Sequence, residues 1–211
     1  DELVVELNGK GEITRAVSTW DAFADSPYRI MIQRAVGPLR YNGDGDFLHA
    51  NNVEAFEPES GVRFAHAEPG HLLLSLRNIG IIGVLDFEAK KMVWARRGEW
   101  VRQHDPDFLP NGNLMLFDNQ GDFARGGKTR IVEYNPADSQ FVWVYTGPAP
   151  DGLWTAWRGE QHVLANRNVL INEFLQNRIL EVTRAGEIVW EYHCPFKHPT
   201  KENLQIGRAH V

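Results

Sequence analysis

The sequence predicts an all-β fold: a partial β-propeller of four-stranded antiparallel blades, about three of them whole and one in part. Three observations predict it. Short apolar runs punctuated by Gly, Pro, Asn and Asp recur in sets of four. The Val-Trp pairs ending at Trp94, Trp143 and Trp190 repeat at intervals of 49 and 47 residues. No stretch reads as a helix of ordinary length. Four short antiparallel strands returning about every 40 to 50 residues are how a propeller blade looks in sequence. A β-sandwich of irregular hairpins is the competing architecture, and the repeated four-strand order argues against it.

The elements follow in chain order. Residues 1–17 fit the third and fourth strands of an earlier blade: Leu3 to Leu7, a turn at Asn8-Gly9-Lys10-Gly11, then Glu12 to Val17. Residues 18–46 form a long connection in which Trp20-Asp21-Ala22-Phe23 make a helical turn. The first whole blade, 47–95, holds His49-Ala50-Asn51-Asn52, Leu72 to Leu76, Ile81 to Asp86 and Met92-Val93-Trp94. Within it, the insert Glu57 to Gly70 is expected to loop out on one rim. The next blade, 103–146, opens on a hairpin. A strand starting at Gln103-His104-Asp105 runs to Pro110-Asn111-Gly112, where Asn-Gly supplies the positive φ of a tight turn. Leu114-Met115-Leu116-Phe117 then returns as a strand buried on both faces. Arg130 to Tyr134 and Phe141 to Tyr145 complete it. The last blade, 160–193, holds Gln161-His162-Val163, Val169-Leu170-Ile171, Arg178 to Val182 and Glu187 to Tyr192. Trp94, Trp143 and Trp190 fall on the outermost strands, where they serve packing.

Propellers close with roughly four to eight blades. This number of blades is therefore expected to form an open arc with a sheet face and strand edges bare. The chain begins in mid-strand and without Met. Ile206-Gly207-Arg208-Ala209-His210-Val211 is what ATC GGA AGA GCA CAC GTC encodes, the read-through of a common sequencing adapter. Residues 206–211 are accordingly set apart as a scar, leaving 1–205 as an incomplete propeller domain cut from a longer protein.

Composition narrows the function classes. The 211 residues are 43% hydrophobic, enough for one domain with a real core. A net charge of −6, with no Lys/Arg block, argues against a nucleic-acid surface. No apolar run approaches the about 20 residues of a membrane helix. The single Cys194 allows neither an internal disulfide nor a cysteine zinc site. Asn42-Gly43-Asp44-Gly45-Asp46 resembles part of a calcium loop but lacks the distal glutamate, so a plain turn is the reading. No metal is expected.

The first strand of a propeller blade lines the central channel. Here those strands carry His49 and Asn51, then His104, then Gln161 and His162, and the second strand of the first whole blade ends Ser75-Leu76-Arg77-Asn78. Two imidazoles, an amide and a guanidinium facing one channel suit an anionic tetrahedral group. Arg offers a fixed fork of donors to its oxygens, and a histidine neutral near pH 7 is a nucleophile or base. Each residue also has a structural reading: His104 bonded to neighbouring backbone, Arg77 paired with Asp118 or another carboxylate, Asn51 capping a strand. Asp118 and Asn119 are expected to shape the turn and orient neighbours. His162, His66 and His71 receive no role, and Arg125 to Lys128 reads as a flexible loop.

The order His49-Ala50-Asn51, Ser75-Leu76-Arg77-Asn78, Gln103-His104-Asp105 and Leu116-Phe117-Asp118-Asn119, followed by Gly186-Glu187-Ile188-Val189-Trp190-Glu191-Tyr192, resembles the arylsulfotransferase family. These aryl-sulfate sulfotransferases do not use the nucleotide sulfate donor. The resemblance runs from about residue 1 to residue 194. It implies a six-bladed propeller that moves a sulfuryl group from a phenolic sulfate ester to a phenol through a sulfohistidine, with no cofactor. By position His104 matches the nucleophile. His49, Asn51 and Arg77 match the groups that hold the sulfuryl oxygens and neutralise the leaving phenolate. The implied partners are an aryl sulfate and a phenol, and exported relatives favour a periplasmic or extracellular location. Two features depart from the family pattern: its further histidine on an earlier blade would precede Asp1, and 28 residues separate His49 from Arg77. A non-catalytic binding or scaffold propeller using its rim loops is the alternative function. No consistent motif supports a quinone-cofactor propeller.

Overall fold

A computed structural model describes residues 2–36 and 46–195. The fold is nearly all-β, with four antiparallel sheets in chain order. The first pairs β1 (Leu3–Leu7) with β2 (Ile13–Ser18). The second runs β3 (Ala50–Ala55), β4 (Leu72–Leu76), β5 (Ile81–Asp86), β6 (Lys91–Arg97). The third runs β7 (His104–Phe108), β8 (Leu114–Asp122), β9 (Lys128–Asn135), β10 (Gln140–Tyr145). The fourth runs β11 (Glu160–Val163), β12 (Val169–Glu173), β13 (Arg178–Val182), β14 (Ile188–His193). Every four-stranded sheet is a simple meander, and β7 touches both β3 and β11, so the first strands of successive sheets lie side by side.

Three apolar clusters sit between successive sheets. Val4 and Val17 pack with Leu74, Leu76, Ile81 and Leu85. Leu73, Ile82, Val84 and Trp94 pack with Phe108, Leu114, Leu116 and Val132. Met115, Phe117, Ile131 and Tyr145 pack with Val169, Ile171, Leu180 and Val182. The alternation of strand side chains explains this: Leu114 and Leu116 face one neighbour, Met115 and Phe117 the other, and all four are fully buried. The two ends of the array are open. Leu3, Val5, Leu7 and Ile13 are exposed on the first sheet, and Ile188, Val189, Trp190 and Tyr192 on β14.

The connection after β2 holds more helix than its composition predicts. The expected helical turn is α1 (Thr19–Ala24), whose N-cap Ser18 Oγ accepts from the Asp21 N–H at 3.0 Å. A second helix, α2 (Arg29–Val36), was not expected. Its buried Ile32 joins the cluster of the first two sheets together with Phe23 of α1, so tertiary packing stabilises this short helix. The 57–70 insert is likewise tied down. Phe64 is buried against Trp94 and Phe108, with ring centroids 5.1 and 5.3 Å away. The β7–β8 turn falls at Pro110-Asn111-Gly112 as expected, with Leu109 N–H bonded to the Asn113 carbonyl across this three-residue loop, but only Gly112 takes positive φ, +86°. Residues 42–45 of the calcium-like stretch and residues 206–211, expected to be a scar, lie outside the described residues. Among the described residues no helix is long and apolar enough to cross a membrane.

Candidate functional site

A first strand in a sheet has one edge without a ladder partner, and its N–H and C=O groups must be satisfied otherwise. Here the preceding sheet supplies side chains. Glu2 accepts from the N–H of His49 at 2.6 Å and also from that of Ala50. Glu54 accepts from Phe108 N–H and Asp105 from Gln161 N–H, both at 3.0 Å. In the other direction Asn51 Nδ2 donates to the Gln103 carbonyl at 2.9 Å, Asn52 Nδ2 to Pro106 at 3.2 Å, and Gln161 Nε2 to Asp105. The inner edges are thus sewn together by carboxylates and amides, and this fixes where His104 stands. Asn51 bonds the carbonyl just before His104, while its own Oδ1 is buried without a hydrogen-bond partner.

His104 is held at both ring nitrogens. Nδ1 lies 2.7 Å from Asn119 Oδ1 and 3.1 Å from the Arg102 carbonyl, both acceptors, so it carries the proton. Nε2 accepts the Arg158 N–H at 3.2 Å, so it carries the lone pair. Asn119 Nδ2 in turn donates to the carbonyls of Thr155 (2.9 Å) and Arg158 (2.7 Å), so one amide positions both the ring and the loop that caps it. Burial pushes the imidazole down to about 4, and the Arg77 charge and His49 push the same way; the Asn119 and Arg102 acceptors only partly offset this. The ring is neutral at pH 7.

Asp118 is fully buried, accepts from Val101 N–H at 2.9 Å and pairs with Arg130 at 2.8 Å. The structural alternative for Arg77, a pair with Asp118, is therefore not realised. The cross-strand pair Asp118–Arg130 recurs in the fourth sheet as Glu173–Arg178 at 2.6 Å. At the matching place the second sheet has Leu76 opposite Ile81. Arg77 is outside that structural scheme. Its Nη1 donates to Asn78 Oδ1 at 2.9 Å, and its Nε–H is buried with no partner. Burial and the nearby Arg102 charge lower its pKa, and Asp46 opposes them. His49 bonds Asp46 through Nδ1 and sits at φ +53°, just ahead of β3.

His49 and Arg77 open onto one cavity of about 960 Å³, which Arg97, Trp100, Arg102 and Phe123 also line. His104 and Asn51 are not on its wall, yet Arg77 and His49 are near enough to act on the His104 charge. Sequence reasoning missed Arg102, Phe123 and the Arg158 N–H. It also missed an acidic group on the inner strands. Burial raises Asp107 to about 9, Glu54 to about 7 and Asp105 to about 6, and mutual repulsion adds to the rise of Asp107 and Glu54. Their alternation along strands was the available signal. His162 is exposed; His66 stacks on Trp94. The 125–128 loop, expected to be flexible, is pinned by Arg125 to the Thr146 carbonyl (2.7 Å) and Lys128 to that of Asp151 (2.6 Å). Among the described residues no group of three or more His, Cys, Asp or Glu is arranged to hold a metal ion.

A family model described as Arylsulfotransferase (ASST) matches residues 1–194. No curated protein matches the chain. Among solved structures, a streptogramin B lyase is 14% identical with a TM-score of 0.50, covering 92% of this chain and 48% of its own. Virginiamycin B lyase from Staphylococcus aureus is 13% identical with a TM-score of 0.48, covering 92% and 49%. The WD40 β-propeller domain of Doa1 is 13% identical with a TM-score of 0.39, covering 59% and 33%. The likeness to the streptogramin B lyase concerns fold alone. The chain spans about half the length of the two lyases.

Proposed function

The chain belongs to the arylsulfotransferase (ASST) family, and from that premise we propose that it carries the sulfuryl-transfer site of a phenol sulfotransferase, with His104 as nucleophile. One observation supports this above the others: His104 is a neutral imidazole with its proton fixed on Nδ1, within electrostatic reach of Arg77, whose Nε–H has no partner. In the proposed step the Nε2 lone pair forms a bond to sulfur as the bond from sulfur to the phenolic oxygen breaks. The sulfuryl group moves to Nε2 and the electron pair leaves on the phenolate. Asn119 Oδ1 accepts the Nδ1–H as the ring gains positive charge. The Arg158 N–H, displaced from Nε2, is free to donate to a sulfuryl oxygen. Arg77, with His49 beside it, offsets the charge on the oxygens and the phenolate. A second phenol then attacks sulfur, loses its proton to solvent and restores His104. Asn51 acts here by fixing the Gln103 carbonyl and hence the strand of His104.

A second reading rests on a specific contact. The Arg158 N–H occupies the lone pair that would attack, as in a histidine that merely ties two loops together. That reading is a non-catalytic propeller that binds partners through its rim loops. The experiment is to follow release of nitrophenol from para-nitrophenyl sulfate by the full-length protein, with phenol as acceptor. Turnover that disappears in His104→Ala supports transfer. Absent turnover, with binding insensitive to His104→Ala and lost on changing the 57–70 loop, supports the binding module.

A further inference from the structure

The three four-stranded sheets repeat two rim positions, and comparing them shows a site. One position is the left-handed residue ahead of each first strand: His49 (φ +53°), Arg102 (φ +57°) and Arg158 (φ +63°). The other is the first residue of the 3₁₀ turn between the second and third strands: Arg77, Phe123 and Phe174. Each of those turns ends on a left-handed residue, Gly80, Gly126 or Asn177. In the fourth sheet the two positions meet, with the Arg158 guanidinium over the Phe174 ring at 4.6 Å. In the third sheet they do not meet. β8 has nine residues where β4 and β12 have five, so the turn that begins with Phe123 follows a strand four residues longer.

The consequence is an unsatisfied pair facing one cavity. Phe123 is 73% exposed, although it is a large apolar ring. The Arg102 guanidinium makes no hydrogen bond, ion pair or ring contact among the described residues. Both line the cavity that also contains His49 and Arg77. An arginine facing one side of a space and a phenyl ring facing it elsewhere match a planar π-system, whose face attracts a cation and whose edge or face packs on another ring. The closed Arg158–Phe174 contact shows that this repeat makes such a stack when nothing lies between.

We propose that Arg102 and Phe123 form an aryl subsite, which takes the aromatic ring of a phenol or its sulfate ester with the ester group directed to Arg77 and His49. This rests on the sulfuryl-transfer reading for the direction of the ester, but not for the recognition of the ring. Arg102 would also favour the phenolate as it leaves. The subsite selects an aromatic ring over a saturated ring of similar size.

The test measures binding of para-nitrophenol and of cyclohexyl sulfate, by calorimetry, to the full-length protein and to Arg102→Gln and Phe123→Ala. Both residues are exposed, so the variants keep the fold, and melting curves check this. Each substitution is expected to weaken nitrophenol binding about tenfold, and Phe123→Ala to leave cyclohexyl sulfate unchanged, with Phe123→Tyr restoring the affinity. In turnover, KM for para-nitrophenyl sulfate rises more than kcat falls. Nitrophenol affinity unchanged in both variants overturns the subsite, as does an equal loss for both ligands in Phe123→Ala. Absent turnover with selective loss of nitrophenol binding supports the subsite while removing the transferase reading. Normal turnover with an unchanged KM in both variants removes the subsite and leaves the transferase reading in place.

Discussion

Asn119 Oδ1 and His104 Nδ1 stand 2.7 Å apart, and the same Asn119 amide holds the Arg158 loop whose N–H meets the other ring nitrogen. One side chain therefore orients the ring and holds the cap, and together with the Arg102 carbonyl it sets the tautomer. Asn119→Ala is expected to lower kcat by about ten- to a hundredfold, because a displacement of order 1 Å at a reacting atom is that costly. Nitrophenol affinity stays near wild type. A kcat and KM series checks the split.

The pH profile follows from burial of the imidazole. An ordinary histidine protonates near 6.5, whereas His104 is pushed down to about 4. His104 therefore stays neutral as pH falls through 6.5, and under the proposed mechanism kcat/KM is expected to fall only as pH approaches 4. A plot of kcat/KM against pH reports the group in the free enzyme. A fall centred near 6.5 would mean a solvated ring.

Stability should move with pH in the opposite sense to that of most acidic proteins. Asp107, Glu54 and Asp105 have raised folded pKa values, so the native state binds more protons than the unfolded chain between the ordinary carboxylate range and about 9, 7 and 6. Their contribution is complete in acid and is lost as pH rises. His104, lowered to about 4, acts oppositely, losing its contribution as pH falls from 6.5 toward 4. Above 6.5 only the carboxyl groups act. Urea midpoints should therefore decline from pH 6.5 into the alkaline range, and Asp107→Asn should flatten that decline.

Asp118→Ala removes the partner of Arg130 and of the Val101 N–H from a fully buried place. A broken buried pair typically costs about 3 to 5 kcal/mol. Urea unfolding is expected to show a loss of that order, larger than that of Asp118→Asn, which keeps an acceptor.

Much of the fold was legible because the repeat is carried by local signals. The Val-Trp spacing and the buried run Leu114 to Phe117 needed no knowledge of neighbours. α2 and Phe64 were hidden, since each owes its place to surfaces made by other sheets. The site was partly legible. His49, Arg77 and His104 were nameable by type and order, but the edge contacts of Glu54, Asn51 and Gln161 depend on register between sheets about 50 residues apart in sequence. The left-handed backbone of Arg102 and Arg158 has no sequence mark, because arginine is not a residue that favours it. Without that geometry, Arg102 and Phe123 read as ordinary surface residues.

The central claim is that His104 Nε2 receives the sulfuryl group. The direct measurement is peptide mass spectrometry of the full-length protein after brief exposure to para-nitrophenyl sulfate without acceptor, kept out of acid. The account predicts one added sulfuryl group on the peptide containing His104, removed by adding phenol and absent in His104→Ala. An unmodified His104 in a protein that still turns the ester over would contradict it.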